Sequence, residues 1–322
     1  MNLKYLFHSG KNSNLKFYIL GYLRRMVPQA WYLKKISSKL SDISRRDDLE
    51  YIRDRVEYYN KLLGTTLLPN DVETLKDFDA KHQSAYYIDL YRTSRWFPKQ
   101  LKCSFIPGDV VDIPEIPSVV KSRPILPGND NSVILKLDSA RHFVFLKDKI
   151  NYHDKQNKII FRGQAYNDHR RKFMEMYFNH PMVDAGVPEK HHYAELPIEW
   201  KKAPMTLYDH LKYKFIMAIE GKDVASNLKW VMSSNSVAVM PEPKFETWFM
   251  EGRLIPDYHY IRIKSDYSDL EERINYYIEH EDEVLQIIEH AHEYVKQFFD
   301  TDREKIIEIL TLQKYFQITS QL

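Results

Sequence analysis

The residues best suited to chemistry in this chain lie just after short apolar runs. Arg162 directly follows the run at 159–161, and Gly221 follows a second run at 215–219. A guanidinium binds a pair of phosphate oxygens through two parallel hydrogen bonds. Because parallel α/β sheets bind their ligands beyond the carboxyl ends of the strands, both positions predict a site for an anionic group. The alternative for Arg162 is an ion pair with a nearby carboxylate.

The loop that starts at Gly221 leads into a predicted short helix. Backbone N–H groups at the start of a helix carry partial positive charge and favour phosphate. We therefore expect a phosphate to meet the N–H groups of Val224, Ala225 and Ser226, with the Ser226 hydroxyl beside them.

Two aspartates in one loop are candidates for a catalytic base. A carboxylate at the edge of a ligand site can act as a general base and take the proton of an attacking hydroxyl group. Asp109 follows a predicted strand at 102–106, and Asp112 lies three residues later. Either carboxylate could be the base, and the alternative is that one of them caps a turn. Lys121 and Arg123, further along, are candidates for holding an anionic acceptor.

Two Asp-x-Asp triplets raise the question of a metal. Carboxylate pairs of this kind hold Mg²⁺ or Mn²⁺, which prefer oxygen ligands. One triplet, Asp77–Asp79, lies in a polar helical stretch. In the other, Asp300–Asp302, Thr301 and Glu304 have the spacing of a capping box. We therefore expect no metal site, and a diphosphate neutralised by helix N-termini and basic side chains.

Apolar runs and amphipathic stretches alternate between about 157 and 263, which predicts a parallel sheet with helices on its faces. A helix predicted at 245–250 carries Glu246, a candidate for the ribose hydroxyls, with a solvated carboxylate as the alternative. Further helices are predicted at 48–63, 84–97, 269–299 and 303–316. We divide the chain into domains at 1–152 and 153–300, with a C-terminal helix at 301–322 that packs back on the first domain.

Composition indicates a globular protein of the reducing cytosol. Hydrophobic residues make up 43% and charged residues 29% of the 322 residues. The single cysteine, Cys103, excludes an intramolecular disulfide. No stretch reaches the roughly 20 apolar residues of a membrane span, and the N-terminus lacks the pattern of a signal peptide.

Charge is concentrated at the N-terminus. The first 40 residues contain eight Lys or Arg and no acid, whereas the whole chain has a net charge of +2, so the remainder carries 2 − 8 = −6. Cations interleaved with aromatic and aliphatic residues are typical of a segment that binds an anionic membrane surface. The alternative is a helix docked on its own domain. Nucleic acid is not expected as a partner, because the basic character stops at residue 40 and no binding motif is present.

Several ordered motifs resemble glycosyltransferase family 90, which includes bacterial lipopolysaccharide-core glycosyltransferases of the LpsA type and eukaryotic protein O-glucosyltransferases. The matching motifs are FRG at 161–163, EGKDVASNLKW at 220–230, SSNS at 233–236, PKFETWFMEG at 243–252 and HY at 259–260. The segments at 51–62 and 108–125 resemble the bacterial branch. The resemblance covers about residues 45 to 300.

The resemblance implies a GT-B-like fold, in which two Rossmann-like domains face each other across a cleft. The N-terminal domain would hold the acceptor and the C-terminal domain the nucleotide sugar. The implied activity is inverting, metal-independent transfer of a hexose from a UDP-sugar to the lipopolysaccharide inner core, with no further cofactor. It would take place on the cytoplasmic face of the inner membrane. The alternatives are transfer to capsule or another surface glycan, and a non-catalytic module that binds nucleotide sugars or anionic glycans.

The resemblance also assigns residues. It favours Asp109 over Asp112 as the base, and it suggests a phosphorylated core as the group held by Lys121 and Arg123. The donor site it implies comprises Arg162, Gly163, Arg170, Gly221, Asp223, Val224, Ala225, Ser226, Asn227, Lys229 and Glu246. Asn227 stands where the eukaryotic branch has an arginine for the diphosphate, so one positive charge is either missing or supplied by Lys222 or Lys229.

Overall fold

The structure is a computed structural model that describes residues 9–78, 84–189 and 196–322. Within these ranges the chain forms two compact units. The first takes in residues 9–12, Arg141–Pro243 and Gly252–Gln297, and the second takes in Ser13–Ala140, Lys244–Glu251 and Phe298–Leu322. Each unit is therefore assembled from segments that are far apart in the sequence.

Helices dominate both ends of the chain, and strands and helices alternate between them. The helices are α1 (Asn14–Arg25), α2 (Gln29–Ser41), α3 (Leu49–Tyr59), α4 (Ser84–Ser94), α5 (Ser139–His142), α6 (Asp168–Tyr177), α7 (Leu207–His210), α8 (Leu228–Met232), α9 (Leu270–Glu279), α10 (Glu281–Lys296) and α11 (Thr301–Ile318). The strands are β1 (Phe105–Ile106), β2 (Ser118–Val120), β3 (Ser122–Pro124), β4 (Ser132–Ile134), β5 (Gln156–Arg162), β6 (Val183–Pro188), β7 (Lys201–Lys202), β8 (Tyr213–Met217), β9 (Val237–Met240), β10 (Phe245–Thr247) and β11 (Ile261–Arg262). None of these helices is long and apolar enough to cross a membrane.

The first unit is built around a parallel sheet with the strand order β11-β9-β8-β5-β6-β7. Strands β8 and β9 are buried along nearly their whole length, as expected for continuous apolar runs in a parallel sheet. Helix α6 packs its side chains Phe173, Met174 and Tyr177 into the same core. Burying a Phe or Met side chain stabilises a fold by about 1.5–3 kcal/mol. This arrangement confirms the predicted α/β class.

The second unit joins helices from both ends of the chain. Its strands form a parallel sheet with the order β1-β2-β4 and an antiparallel pair of β3 and β10. Helix α11 packs on α3 and α4, and Arg55 of α3 lies 2.9 Å from Glu304 of α11. The Arg55 guanidinium lies 5.0 to 5.8 Å from the centres of four aromatic rings, those of Tyr51, Tyr59, Trp248 and Phe298. This charged and aromatic cluster ties the C-terminal segment to the start of the unit.

The prediction of a helix at 245–250 is wrong. Residues 245–247 form β10, which pairs with β3 so that Glu246 lies opposite Arg123. A hydrogen-bonded ladder and an ion pair between these residues outweigh the local preference for a helix. Glu246 therefore sits on a strand of the second unit.

The C-terminal helices also differ in detail from the prediction. The helix expected at 269–299 is divided into α9 and α10 at His280, whose backbone leaves the helical region (φ −117°, ψ 59°). The N-cap of α11 is Asp300, whose carboxylate accepts the Arg303 N–H at 2.9 Å, and not the predicted Thr301. Both residue types cap helices well, so only the backbone conformation decides between neighbours.

Candidate active site

The loop after β8 presents hydrogen-bond donors that the chain does not use. Its backbone is closed by two weak bonds, from the Gly221 N–H to the Val224 carbonyl (3.4 Å) and from Leu228 to Ala225 (3.2 Å). Among the described residues, the N–H groups of Val224, Ala225 and Ser226 and the Ser226 hydroxyl donate to no other group. Strong donors left without an acceptor mark a place where a ligand can supply one. Asp223, in the same loop, is buried.

Asn227 holds this loop to the sheet. Its side-chain amide donates to the carbonyl of Met217, the last residue of β8, at 2.9 Å. Of the two lysines considered as the replacement for a charge at this position, Lys229 is fully buried in α8, whereas Lys222 is exposed. Lys222 is therefore the cation that can move towards a ligand on this loop.

Arg170, in the first turn of α6, connects the loops that follow β5 and β8. Its guanidinium donates to the carbonyls of Ile219 (2.6 Å), Glu220 (2.8 Å) and Gln164 (3.2 Å). Burial lowers the pKa of Arg170, although nearby Tyr166, Tyr267 and Glu220 act in the opposite direction. No carboxylate of the described residues lies within ion-pair distance of it. The Arg170 guanidinium is thus held beside the loop at Gly221 by three carbonyl oxygens, with the negative charge of Glu220 nearby.

Arg162, at the end of β5, is held by a carboxylate that the sequence analysis did not identify. Its guanidinium donates to the Asp184 carboxylate and to the Asp184 carbonyl, both at 2.7 Å. The Asp184 carboxylate also accepts from Lys202 (2.9 Å) and Tyr213 (2.7 Å). Burial acts to raise the pKa of Asp184, but the hydrogen bonds from Tyr213, Lys202 and Arg162 outweigh it and hold this pKa well below its usual range.

We call Asp184 and its partners Arg162, Lys202 and Tyr213 the Asp184 cluster. It contains the ion pair with a carboxylate that was the alternative to phosphate binding by Arg162. Two cations on one carboxylate leave a net positive charge, so this pairing does not exclude an anionic ligand. Asp184 lies between Val183 and Ala185 in an apolar strand, and a carboxylate in such a place requires a cationic partner. The position of Asp184 inside an apolar run is therefore the signal by which the sequence could have identified this residue.

Packing against Phe161 favours a glycine at position 163 of the FRG motif. A Cβ atom at this position would lie 2.8 Å from the ring of Phe161, closer than non-bonded carbon atoms approach each other. The glycine therefore allows the loop after β5 to fold over that ring.

Asp109 is positioned by a turn and a lysine of the second unit. Gly108 has φ = +100°, a conformation that glycine adopts without strain, and it places Asp109 just after the turn. The Asp109 carboxylate accepts a hydrogen bond from Lys121 and a long one, 3.4 Å, from the Tyr86 hydroxyl. Asp109 is 24% exposed, whereas Lys121 is only 1% exposed. Asp112 is exposed and makes no ion pair with the described residues.

Arg123 and Glu246 hold each other inside the second unit. The Arg123 Nε lies 2.8 Å from Glu246, and its other nitrogens donate to the carbonyls of Tyr58 (2.6 Å) and Ser132 (3.1 Å). The second Glu246 oxygen accepts from the Tyr58 hydroxyl, whose pKa is raised by burial and by this carboxylate. Both side chains are buried. The structure thus gives them structural partners, and their predicted contacts with acceptor and ribose stay predictions.

The first aspartate of each Asp-x-Asp triplet has a local hydrogen-bond partner. Asp77 accepts hydrogen bonds from the Thr74 N–H (3.1 Å) and hydroxyl (2.6 Å), and Asp300 caps α11. Asp79 lies outside the described residues. In the described part of the chain, no group of three or more His, Cys, Asp or Glu side chains could hold a metal ion. Metal independence stays a prediction.

The fold and these loops belong to a known class of enzyme. The model of the family "Glycosyl transferase family 90" matches residues 135–319, more than half of the chain. The chain belongs to this family and is a glycosyltransferase, as its motifs indicate.

The relatives agree with this assignment. The chain is 37% identical over 306 residues to "O-glucosyltransferase LpsA" of Dichelobacter nodosus, covering 94% of this chain and 95% of the relative. It is 27% identical over 165 residues to "Protein O-glucosyltransferase 3" of Rattus norvegicus, and 26% identical to the Homo sapiens protein of the same name. These two matches cover 50% of this chain and 32% of each animal protein.

Proposed function

We propose that this protein transfers glucose from UDP-glucose to a hydroxyl group of the lipopolysaccharide inner core. The observation that carries the proposal is the likeness, over nearly the whole chain, to a relative named O-glucosyltransferase LpsA. The animal relatives are also named O-glucosyltransferases, which supports glucose as the sugar. The lipopolysaccharide acceptor follows from the resemblance to the bacterial branch.

The donor diphosphate would bind at the carboxyl ends of β5 and β8. The unused N–H groups of 224–226 would donate to the phosphate oxygens, with the Ser226 hydroxyl beside them. Arg170 would contribute its charge from behind the loop, and Arg162 would contribute from the Asp184 cluster. Lys222 is the exposed cation that would compensate for the neutral Asn227.

The reaction would be a single displacement with inversion at the anomeric carbon. The acceptor oxygen forms its bond to the anomeric carbon as the bond to UDP breaks, and the hydroxyl proton passes to the Asp109 carboxylate. The ammonium of Lys121, beside this carboxylate, would keep it in place. The charge of the departing UDP would be stabilised by the same donors that bind the diphosphate, without a metal ion.

The GT-B arrangement belongs to this proposal. Residues 1–152 would form the acceptor-side domain, 153–300 the nucleotide-sugar domain, and the helix at 301–322 would pack back on the first. The enzyme would work as a peripheral protein on the cytoplasmic face of the inner membrane, where the acceptor is made.

The proposal predicts release of UDP from UDP-glucose when lipopolysaccharide with a truncated inner core is added. Other UDP-hexoses and capsular glycans are the matched controls for donor and acceptor. Activity should survive excess EDTA, because the phosphates would be neutralised by protein groups alone. Loss of transfer with EDTA and recovery with Mn²⁺ or Mg²⁺ would contradict metal independence.

Two other outcomes would change the proposed activity. Release of UDP only with capsular glycan would make capsule the acceptor in place of the lipopolysaccharide core. Binding of UDP-glucose without release of UDP under any condition would favour the non-catalytic module.

Replacing Arg162 by alanine tests the donor site. If the guanidinium binds the diphosphate, Arg162→Ala should weaken UDP-glucose binding in calorimetry by about 1.5–3 kcal/mol, the range for hydrogen bonds to charged groups. Lys202→Ala is the matched control, since it removes the other cation from Asp184 and should leave donor affinity nearly unchanged. An equal loss in both variants would mean that Arg162 acts only by maintaining the Asp184 cluster.

A further inference from the structure

One side of helix α1 is apolar and faces solvent. Leu15 is 72% exposed, Ile19 48%, Tyr22 50%, Leu23 51% and Met26 78%, and we call these five side chains the α1 face. At 3.6 residues per turn they fall within about 100° of the helix circumference. The opposite side of α1 packs on α4, where a Cβ atom at Gly21 would lie 2.7 Å from Ile88. The helix therefore buries one side and leaves large apolar side chains on the side where polar ones are expected.

The segment that carries the α1 face is rich in cations and contains no acid of its own. Between residues 9 and 41 the chain has seven Lys or Arg (Lys11, Lys16, Arg24, Arg25, Lys34, Lys35 and Lys39), and the first acid is Asp42. Trp31, 47% exposed, lies in the first turn of α2, with the Lys35 ammonium 4.0 Å from its ring centre. Exposed Tyr and Trp side chains next to Lys and Arg are typical of the headgroup level of a membrane.

We propose that the α1 face inserts into the headgroup region of an anionic lipid bilayer, with the exposed cations Lys11, Lys16, Lys34 and Lys35 on the lipid phosphates. The combination favours lipid over a second copy of this chain, because two such faces would bring two sets of cations together without a counter-charge. A bilayer supplies both an apolar layer for the α1 face and negative charge for its rim. The inference rests on the proposed function in one respect only, that a lipid-anchored acceptor gives the enzyme a reason to bind there.

Vesicle binding by the full chain tests this surface. The variant Ile19→Asn/Leu23→Asn/Met26→Asn should reduce partitioning into phosphatidylglycerol-containing vesicles at least about tenfold. The matched control is Leu63→Asn/Leu67→Asn/Ile198→Asn, which changes three exposed apolar residues elsewhere (85%, 77% and 77% exposed) and should bind as the unmodified chain does. Lys34→Gln and Lys35→Gln should each lower binding about fivefold at low salt, and less at high salt.

UDP release and vesicle binding, measured separately, distinguish this inference from the proposed function. UDP release with a soluble core oligosaccharide should be the same for the α1 variant and the unmodified chain, because the three substituted side chains are exposed and are none of the proposed donor, acceptor or catalytic residues. Equal vesicle binding by the α1 variant and the control, or equal binding to purely zwitterionic vesicles, would overturn the lipid surface even if transfer is normal. A concentration-dependent dimer that the α1 variant abolishes, without vesicle binding, would replace lipid by a second copy. Vesicle binding without any UDP release would support the surface and contradict the function.

Discussion

Replacing Asp109 by asparagine is expected to lower turnover by roughly 10²–10⁴-fold, the usual contribution of general acid–base catalysis. Asparagine keeps the shape and can still accept a hydrogen bond from Lys121, but it cannot take the acceptor proton. Donor affinity should stay nearly unchanged, since the diphosphate site proposed here lies on the loops after β5 and β8. UDP release measures turnover, and calorimetry with UDP-glucose measures the donor Kd.

Asp112→Asn is the matched control, because Asp112 lies in the same loop and is exposed. It should leave turnover within a few-fold of the unmodified enzyme. Near-normal turnover of Asp109→Asn together with a large loss in Asp112→Asn would move the base to Asp112. A parallel loss of donor affinity in Asp109→Asn would show that the loop shapes the donor site instead.

Replacing Arg123 by methionine is expected to lower the free energy of unfolding by roughly 3–5 kcal/mol, because it leaves the Glu246 carboxylate buried without its cation. The carbonyls of Tyr58 and Ser132 lose their donors as well. Urea unfolding followed by tryptophan fluorescence would measure the change, since Trp248 stacks on Tyr59 in the same unit.

Two further variants make this result specific. Arg123→Met/Glu246→Gln should recover part of the loss, because neither charge then remains buried alone. Arg46→Met removes a cation from a half-buried surface pair, with both side chains 28% exposed, and should cost at most about 1 kcal/mol. If Arg123→Met leaves the free energy of unfolding unchanged but raises the KM for the acceptor, the sequence-based interpretation of Arg123 as an acceptor contact would be correct.

Elements buried on both faces were predictable because their signal is local. The runs at 215–219 and 237–240, which contribute to β8 and β9, are continuously apolar, as expected for strands that a parallel sheet buries on both faces. The stretch at 245–250 has no such signal. Its partner β3 is more than a hundred residues away in the sequence, and pairing with that strand, not local preference, makes it β10.

The sequence alone determined the α/β class, the family and the position of the loop after β8, because each of these depends on residue types at short spacing. Only the tertiary structure decided which charges meet. It pairs Arg162 with Asp184, Lys121 with Asp109 and Arg123 with Glu246, and each pair joins residues from different strands or loops. The free energy of a charge depends on burial and on distances of a few ångströms to its partners. Those distances are set by the packing of whole elements, which neighbouring residues in the sequence do not specify.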